Sequence, residues 1–181
     1  MDFNQIILGC RRKDRSCQKQ LYDLHYAYGI KIALSYSNNI DDASEVLNDA
    51  FFDVFEKIDQ YDINHSFTSW FRIIVIRKAI NYYHKNIKYY NAEKSQELFD
   101  SLDTQGDNAI CDIDAEELLN FVNQLPPAYR MVLNLYAIEG YSHQEIAKML
   151  TISTGTSKSN LSKARLFLKK LMSEIKIFTL F

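Results

Sequence analysis

The chain has 181 residues, of which 47% are hydrophobic, with five glycines, two prolines and a net charge of −2. So few turn-forming residues argue against an all-β fold and favour helices. No run of about 18 uncharged apolar residues is present, so no membrane insertion is predicted, and no secretory signal follows Met1. Cys10, Cys17 and Cys111 lack a metal-binding spacing. We expect reduced cytoplasmic thiols, and neither a metal nor a cofactor.

The small net charge conceals four segments of opposite sign. Residues 41–62 hold eight acids against one lysine, and residues 93–117 hold nine acids against one lysine. Residues 63–92 and 155–172 each hold five lysines and arginines and no acid. Two separate basic segments in a nearly neutral protein could hold a polyanion at two places.

Helical periodicity organises the first 92 residues. Leu21, Leu24, Tyr28 and Ile32 recur every three or four positions, which predicts a helix in the first third. A second helix has Asp41 and Asp42 at its start, where the helix dipole favours anions. Its apolar positions are Ala43, Val46, Leu47, Ala50, Phe51, Val54, Phe55 and Ile58. After a polar break at 59–66, a longer aromatic and basic helix is predicted over 67–88.

The acidic, weakly periodic stretch 93–113 is predicted to be a flexible linker. It separates a domain at 1–92 from a domain at 114–181. In the second domain, Pro126-Pro127 ends one helix and starts another, which stops at Gly140. Ser142 and Glu145 form a predicted capping box for the next helix. The expected fold is therefore all-α, with two small helical domains.

The end of the chain has the pattern of a helix-turn-helix. The turn at 151–154 leads into a basic helix, whose predicted inner face is Leu161, Ala164, Leu168 and Leu171. In such units the second helix enters the major groove and its first residues meet base edges. The side chains predicted to point outward there are Lys158, Ser159, Ser162 and Lys163. A helical hairpin with a solvated basic face stays open as the alternative.

The helix at 67–88 interleaves aromatic rings with cations. Cations neutralise phosphates and aromatic faces stack on unpaired bases, so the mixture fits melted DNA better than intact duplex. The alternative is that the aromatic and aliphatic residues in its first turns belong mostly to the core. The residues to which this alternative applies are Phe67, Trp70, Phe71, Ile74 and Val75.

Five acids of the second helix form one stripe opposite its apolar face: Asp42, Glu45, Asp49, Asp53 and Glu56. This stripe repels phosphate, so it is not a DNA-binding face. It is either a solvated surface or a docking face for a protein.

Three segments, in this order along the chain, resemble the extracytoplasmic-function class of RNA polymerase sigma factors. "DASEVLNDAFFDVFEKI" is similar to that family's core-binding helix, and "FTSWFRIIVIRKAINYYHKN" to its segment that melts and reads the minus-ten element. "LPPAYRMVLNLYAIEGYSHQEIAKMLTISTGTSKSNLSKAR" is similar to the domain that reads the minus-thirty-five element. Thr151 stands where the family frequently has Gly, so a left-handed turn there would be costly.

The resemblance implies a cytoplasmic sigma factor, not an enzyme, that directs bacterial core RNA polymerase to promoters. The implied partners are the β′ clamp helices, the β flap, promoter DNA and, as often in the family, an anti-sigma factor. The residues implied in polymerase binding are Asp42, Glu45, Asn48, Asp49, Phe52, Asp53 and Glu56. Those implied at the minus-ten element are Phe67, Trp70, Arg77, Lys78, Asn81 and Lys85. Those implied at the minus-thirty-five element are Thr156, Lys158, Ser159, Ser162, Lys163 and Arg165.

Two other classes of function fit the sequence less well. A stand-alone helix-turn-helix regulator would bind duplex DNA without polymerase, usually as a symmetric dimer, and would leave the N-terminal half without a role. An enzyme is disfavoured because the sequence has no P-loop, no clustered metal ligands and no nucleophile motif.

Overall fold

The computed structural model describes residues 2–93 and 115–178, and within those ranges it contains helices and no strand. The chain divides into two compact units, Met1–Tyr82 and Tyr83–Phe181. The predicted all-α architecture is confirmed. The proposed linker at 93–113 and Cys111 lie almost wholly outside the described residues.

The first unit begins with two helices where the sequence indicated one helical region. α1 (Phe3–Arg11) and α2 (Arg15–Tyr36) are separated by a short turn. Asp14 is the N-cap of α2. Its carboxylate accepts hydrogen bonds from the backbone N–H groups of Ser16 and Cys17, so the second helix begins directly after it. Leu24 does not belong to the buried face of α2, since 61% of its surface is exposed.

The core of the first unit is completed by α3 (Ile40–Lys57), a 3₁₀ turn (Ile58–Gln60) and the start of α4 (Phe67–Glu93). The Asn39 side chain caps α3, and the predicted apolar positions of this helix are buried except for Phe55, which is half-buried. Cys10 and Cys17 are buried free thiols, and burial raises the pKa of Cys10 to about 11. They pack as small apolar groups.

The second unit contains α5 (Ala115–Gln124), α6 (Pro127–Leu133), α7 (His143–Leu150) and α8 (Thr154–Phe178). Pro127 occupies the first turn of α6, as predicted. Beyond α6 the chain continues through a π-helical segment (Asn134–Ile138), in which the N–H of Glu139 donates to the carbonyl of Asn134, five residues earlier. The sequence pattern did not reveal this widened turn.

The helix-turn-helix connection follows the prediction closely. Ser142 and Glu145 form both bonds of the capping box at the start of α7. Thr151 ends the helix at φ 55° and ψ 44°, a left-handed conformation in which a side chain is strained. On α8, Leu161 and Ala164 are buried as expected, but Phe167 is more buried than Leu168. Within the described residues, no helix has both the length and the apolar content needed to cross a membrane.

Candidate nucleic-acid interfaces and acidic surface

The start of α8 presents most of the predicted base-contacting side chains to solvent. Lys158, Ser159, Ser162 and Arg165 are exposed on its outer side. Thr156 is also exposed, but its hydroxyl lies 2.8 Å from the hydroxyl of Ser153 and belongs to the cap of the helix. Lys158, Ser159 and Ser162 are therefore exposed donors or acceptors on the first turns of the second helix, where side chains of such units meet base edges.

Lys163 is placed differently from its neighbours. It is half-buried, and its Nζ lies 5.9 Å from the centre of the Tyr129 ring. A cation at this distance is attracted to the ring face. The structure therefore joins Lys163 to α6 as well as to the predicted DNA surface.

A buried polar contact, missed by the sequence reasoning, holds α7 against α8. Ser157 is fully buried, and its hydroxyl lies 2.9 Å from Nδ1 of His143. The His143 ring stacks on Tyr136 at 4.6 Å and 19°. Ser157 lies four residues before Leu161, in the register of the buried face, and this spacing is the signal that could have revealed it. This contact fixes the orientation of α8 relative to α7.

A shallow depression beside the turn adds further polar side chains to the same surface. Gln144 and Lys148 of α7 line it together with Thr151, Ile152 and Thr154. Both α7 residues are exposed. Because the first helix of such a unit crosses the DNA backbone, they are additional candidates for phosphate contacts.

The aromatic residues predicted at the minus-ten element separate into buried and accessible ones. Phe67 is 4% exposed, and its ring packs against Phe3 at 5.6 Å and Tyr61 at 5.3 Å. Trp70 is half-buried, and its ring packs against Tyr61 at 5.3 Å and against Phe67 at 5.7 Å. Phe67 thus lies in the core and supports the accessible Trp70. The interpretation of Phe71, Ile74 and Val75 as core residues matches their burial.

The polar residues of the same group also differ in their surroundings. Arg77 and Asn81 are exposed, and with Trp70 they follow steps of seven and four residues along one side of α4. Lys85 is exposed further along this helix. Lys78 is half-buried, and its Nζ lies 2.7 Å from a carboxylate oxygen of Asp53. The positive charge of Lys78 is therefore neutralised by Asp53 within the first unit.

The acidic stripe of α3 is likewise divided by its neighbours. Glu45, Asp49 and Glu56 are exposed, together with Asn48 and Phe52, which has 67% of its surface exposed. We call these five residues the acidic surface. The two remaining acids of the stripe turn toward α4: Asp53 pairs with Lys78, and Asp42 accepts a 2.7 Å hydrogen bond from the Tyr82 hydroxyl.

Asp53 joins two lysines from different helices. Its carboxylate lies 2.6 Å from Lys57 on α3 and 2.7 Å from Lys78 on α4. Burial raises the pKa of Asp53, but the bonds from the two ammonium groups outweigh burial and hold the pKa below its ordinary value of 3.8. The carboxylate therefore stabilises the contact between α3 and α4 in its ionised form.

Replacing Asp53 with Asn should remove this stabilisation in a pH-dependent way. A group whose pKa is lower in the folded state contributes stability above its unfolded pKa and loses it as pH falls through the folded pKa. We expect wild type to be more stable at pH 7 by about 1 kcal/mol, with the difference shrinking below pH 3.8. Urea unfolding at pH 7, 5 and 3 measures it. Asp49→Asn, at an exposed position on the same helix, is the control and should show no such trend; a pH-independent Asp53→Asn effect would contradict the assignment.

The fold is all-α with a helix-turn-helix in the second unit, and the exposed acids of α3 are separated from the exposed cations of α4 and α8. Residues 21–88 match the model of sigma-70 region 2, and residues 115–168 match the model of sigma-70 region 4. The chain therefore belongs to the RNA polymerase sigma factors, in the extracytoplasmic-function (ECF) class. The function of such a protein is to direct the polymerase in transcription initiation, and sigma factors are initiation factors rather than enzymes.

Relatives with similar sequences are named RNA polymerase sigma factors. The chain is 24% identical to the ECF RNA polymerase sigma factor SigW of Bacillus subtilis, over 97% of this chain and 99% of the relative. It is 26% identical to the RNA polymerase sigma factor SigV of the same species, over 74% of this chain and 78% of the relative. The ECF RNA polymerase sigma factor SigM of Mycobacterium tuberculosis is 24% identical, over 88% and 79%.

Two solved structures are similar as well. The sigma factor RpoE of Bartonella quintana, solved in complex with the anti-sigma factor NepR, aligns with a TM-score of 0.49 and 20% identity, over 86% of this chain and 96% of that one. CnrH, solved in complex with the cytosolic domain of CnrY, aligns with a TM-score of 0.46 and 18% identity, over 93% and 96%.

Proposed function

We propose that this sigma factor binds core RNA polymerase through the acidic surface of α3 and contacts promoter DNA through α4 and α8. The observation that carries this proposal is the segregation of charge among helices. The exposed acids of the first unit's α3 surround an exposed Phe52, whereas the exposed cations Arg77, Lys158 and Arg165 lie on α4 and α8. Phosphate repels the first surface and attracts the other two.

The acidic surface suits a protein partner. An exposed aromatic ring surrounded by carboxylates provides an apolar contact with a charged rim, which is the usual anatomy of a protein interface. The β′ clamp helices of the polymerase are the proposed partner. Asp42 and Asp53 act behind this surface, because both are bound to α4.

The proposed minus-ten surface is the line of Trp70, Arg77 and Asn81 on α4, extended by Lys85. The half-buried Trp70 ring leaves a face for stacking on an unpaired base, and the exposed Arg77 can neutralise phosphate. Asn81 can both donate to and accept from a base edge. Phe67 contributes by holding Tyr61 and Trp70 in place.

The proposed minus-thirty-five surface is the first three turns of α8. Lys158 can donate to guanine O6 and N7, and Ser159 and Ser162 can donate or accept. Thr156 and Arg165 flank them and are assigned to the phosphate backbone. The same unit is proposed to meet the β flap, and an anti-sigma factor is proposed to compete for one of these surfaces. The protein would act in the cytoplasm, where the polymerase works, and without catalysis of its own.

Base contacts and phosphate contacts can be separated by two lysine variants of α8. Wild-type holoenzyme would first select its preferred sites from a random DNA pool. Lys158→Ala should then lower affinity for the selected duplex by about 5- to 100-fold and relax its preference at one or two positions. Lys169→Ala changes an exposed lysine further along the helix. This variant should lower the affinity for the selected duplex slightly and leave the base preference unchanged. Unchanged preference with Lys158→Ala would contradict the assignment of α8 as the reading helix.

A further inference from the structure

The turn between α1 and α2 is a third basic segment, which the charge pattern of the larger blocks conceals. Arg11, Arg12, Lys13 and Arg15 lie within five residues, and we call them the basic turn. The match to sigma-70 region 2 begins only at residue 21, so the family model assigns nothing to this turn. The single acid inside it, Asp14, is engaged as the cap of α2.

One member of the basic turn attaches it to the loop that precedes α4. The Nη2 atom of Arg11 donates a 2.6 Å hydrogen bond to the carbonyl oxygen of Tyr61, and its Nε lies 4.0 Å from Asp59. Tyr61 is buried, and its hydroxyl donates to the carbonyl of His65 at 2.6 Å. Because the Tyr61 ring also packs on Trp70, Arg11 places the turn beside the start of the proposed minus-ten surface.

The other three members present their charge to solvent. Arg12, Lys13 and Arg15 are exposed, and across the described part of the chain none of them forms an ion pair. The backbone beneath them is held by bonds from the N–H groups of Lys13 and Asp14 to carbonyls at the end of α1. Lys13 adopts φ 60°, which gives the turn a defined shape. Three cations on a fixed turn form a preorganised site for a polyanion.

The carboxylates nearest to this site are already engaged. Asp59 faces Arg11, and Asp62 accepts hydrogen bonds from the backbone N–H and the side-chain amide of Asn64. These bonds and the neighbouring cations hold the pKa of Asp62 below its ordinary value, so it stays ionised. Asp14, Asp59 and Asp62 keep their negative charges, so the four cations of the basic turn stand against three carboxylates. The ion pair goes to Arg11, and no carboxylate in the described part of the chain pairs with Arg12, Lys13 or Arg15.

We propose that the basic turn binds the phosphodiester backbone of the melted promoter strand, next to the nucleotides that reach Trp70. This inference rests on the proposed role of α4 at the minus-ten element. A single strand that passes Trp70 carries one phosphate per nucleotide, so three cations on a turn can meet two or three successive phosphates. The contact is independent of base sequence and adds affinity rather than preference.

The test compares salt dependence in holoenzymes made with the full chain. The variant is Arg12→Gln/Lys13→Gln/Arg15→Gln, and the matched control is Lys31→Gln, an exposed lysine near the other end of α2. The probe is a DNA fragment selected by wild-type holoenzyme and pre-melted over its minus-ten region. Each phosphate contact on a single strand contributes about 0.7 to the slope of log affinity for DNA against log salt concentration. The triple variant loses three such contacts, so we expect its slope to be shallower by about 2. Base preference and core binding should be unchanged.

Each other outcome has a defined meaning. An unchanged slope and affinity in the triple variant, with normal core binding, would overturn the proposal. Loss of core binding in the absence of DNA would also overturn it and assign the turn to the polymerase. If wild-type chain formed no holoenzyme, or the holoenzyme selected no DNA, the proposed function itself would fail, which is visible before any variant is measured. A shallower slope with Lys31→Gln as well would show a general charge effect and contradict a specific site.

Discussion

Replacing Glu45 and Asp49 with lysine should weaken assembly with core RNA polymerase by about 100-fold or more. Both side chains are exposed at the centre of the acidic surface, and the double change reverses two charges there. Like charges brought together at an interface cost several kcal/mol, and about 2.7 kcal/mol corresponds to 100-fold in affinity. Titration of labelled chain with purified core polymerase measures the loss.

The choice of these two positions follows from the surroundings of Asp53. Reversing Asp53 would break its bonds to Lys57 and Lys78 and disturb the first unit as well as the interface. Asp23→Lys is the matched control, because Asp23 is an exposed acid on α2 whose side chain pairs with Lys19. It should leave core binding nearly intact. Normal binding by Glu45→Lys/Asp49→Lys, with normal folding, would show that the polymerase docks elsewhere.

Replacing Gly29 with Val should destabilise the first unit by about 1–3 kcal/mol. Gly29 is buried in α2, where this helix passes closest to α3 and α4. A Cβ atom there would lie 2.5 Å from Cδ1 of Leu47 and 2.9 Å from Cζ of Phe71. Both neighbours are fully buried, so neither has free space into which it can move. Only a glycine permits this approach of the three helices.

The single tryptophan makes this prediction specific to one unit. Trp70 is the only Trp in the chain and lies on α4 within Met1–Tyr82, so its fluorescence reports the first unit in urea unfolding of the full chain. Gly155→Ala is the control, since a Cβ at Gly155 meets its nearest atom, Oγ of Ser153, at an ordinary 3.5 Å. It should leave the Trp70 transition unmoved. If the Trp70 transition of Gly29→Val fell at the same urea concentration as that of wild type, the prediction would be wrong, and the helices would separate easily at this point.

The sequence alone revealed the features that depend on neighbouring residues along the chain. The apolar repeat of α3, the capping box at Ser142 and Glu145 and the first turn at Pro127 were all predicted and are all present. Each is set by bonds or spacings within about eight residues, which a sequence displays directly. At Thr151 the resemblance indicated only that a left-handed turn would be costly, and the structure shows that Thr151 does adopt this conformation.

Charge patterns along the chain were a weaker guide to which side chains are available. Asp53 and Lys78 were assigned to opposite surfaces, one for polymerase and one for DNA, yet they pair with each other across 25 positions. Phe67 was assigned to DNA but packs in the core. A stripe or an aromatic run shows which face a residue occupies. It does not show which other helix lies against that face.

What the sequence determined by itself is the class of the protein: an all-α sigma factor whose acidic, aromatic-basic and helix-turn-helix segments follow one another in a recognisable order. Only the tertiary structure decided which members of those segments are free to bind. The ion pair between α3 and α4 neutralises Asp53 and Lys78, and the hydrogen bond from Arg11 to the Tyr61 carbonyl attaches the basic turn to the loop before α4. These pairings depend on distances between residues remote in sequence, and local periodicity carries no information about such distances.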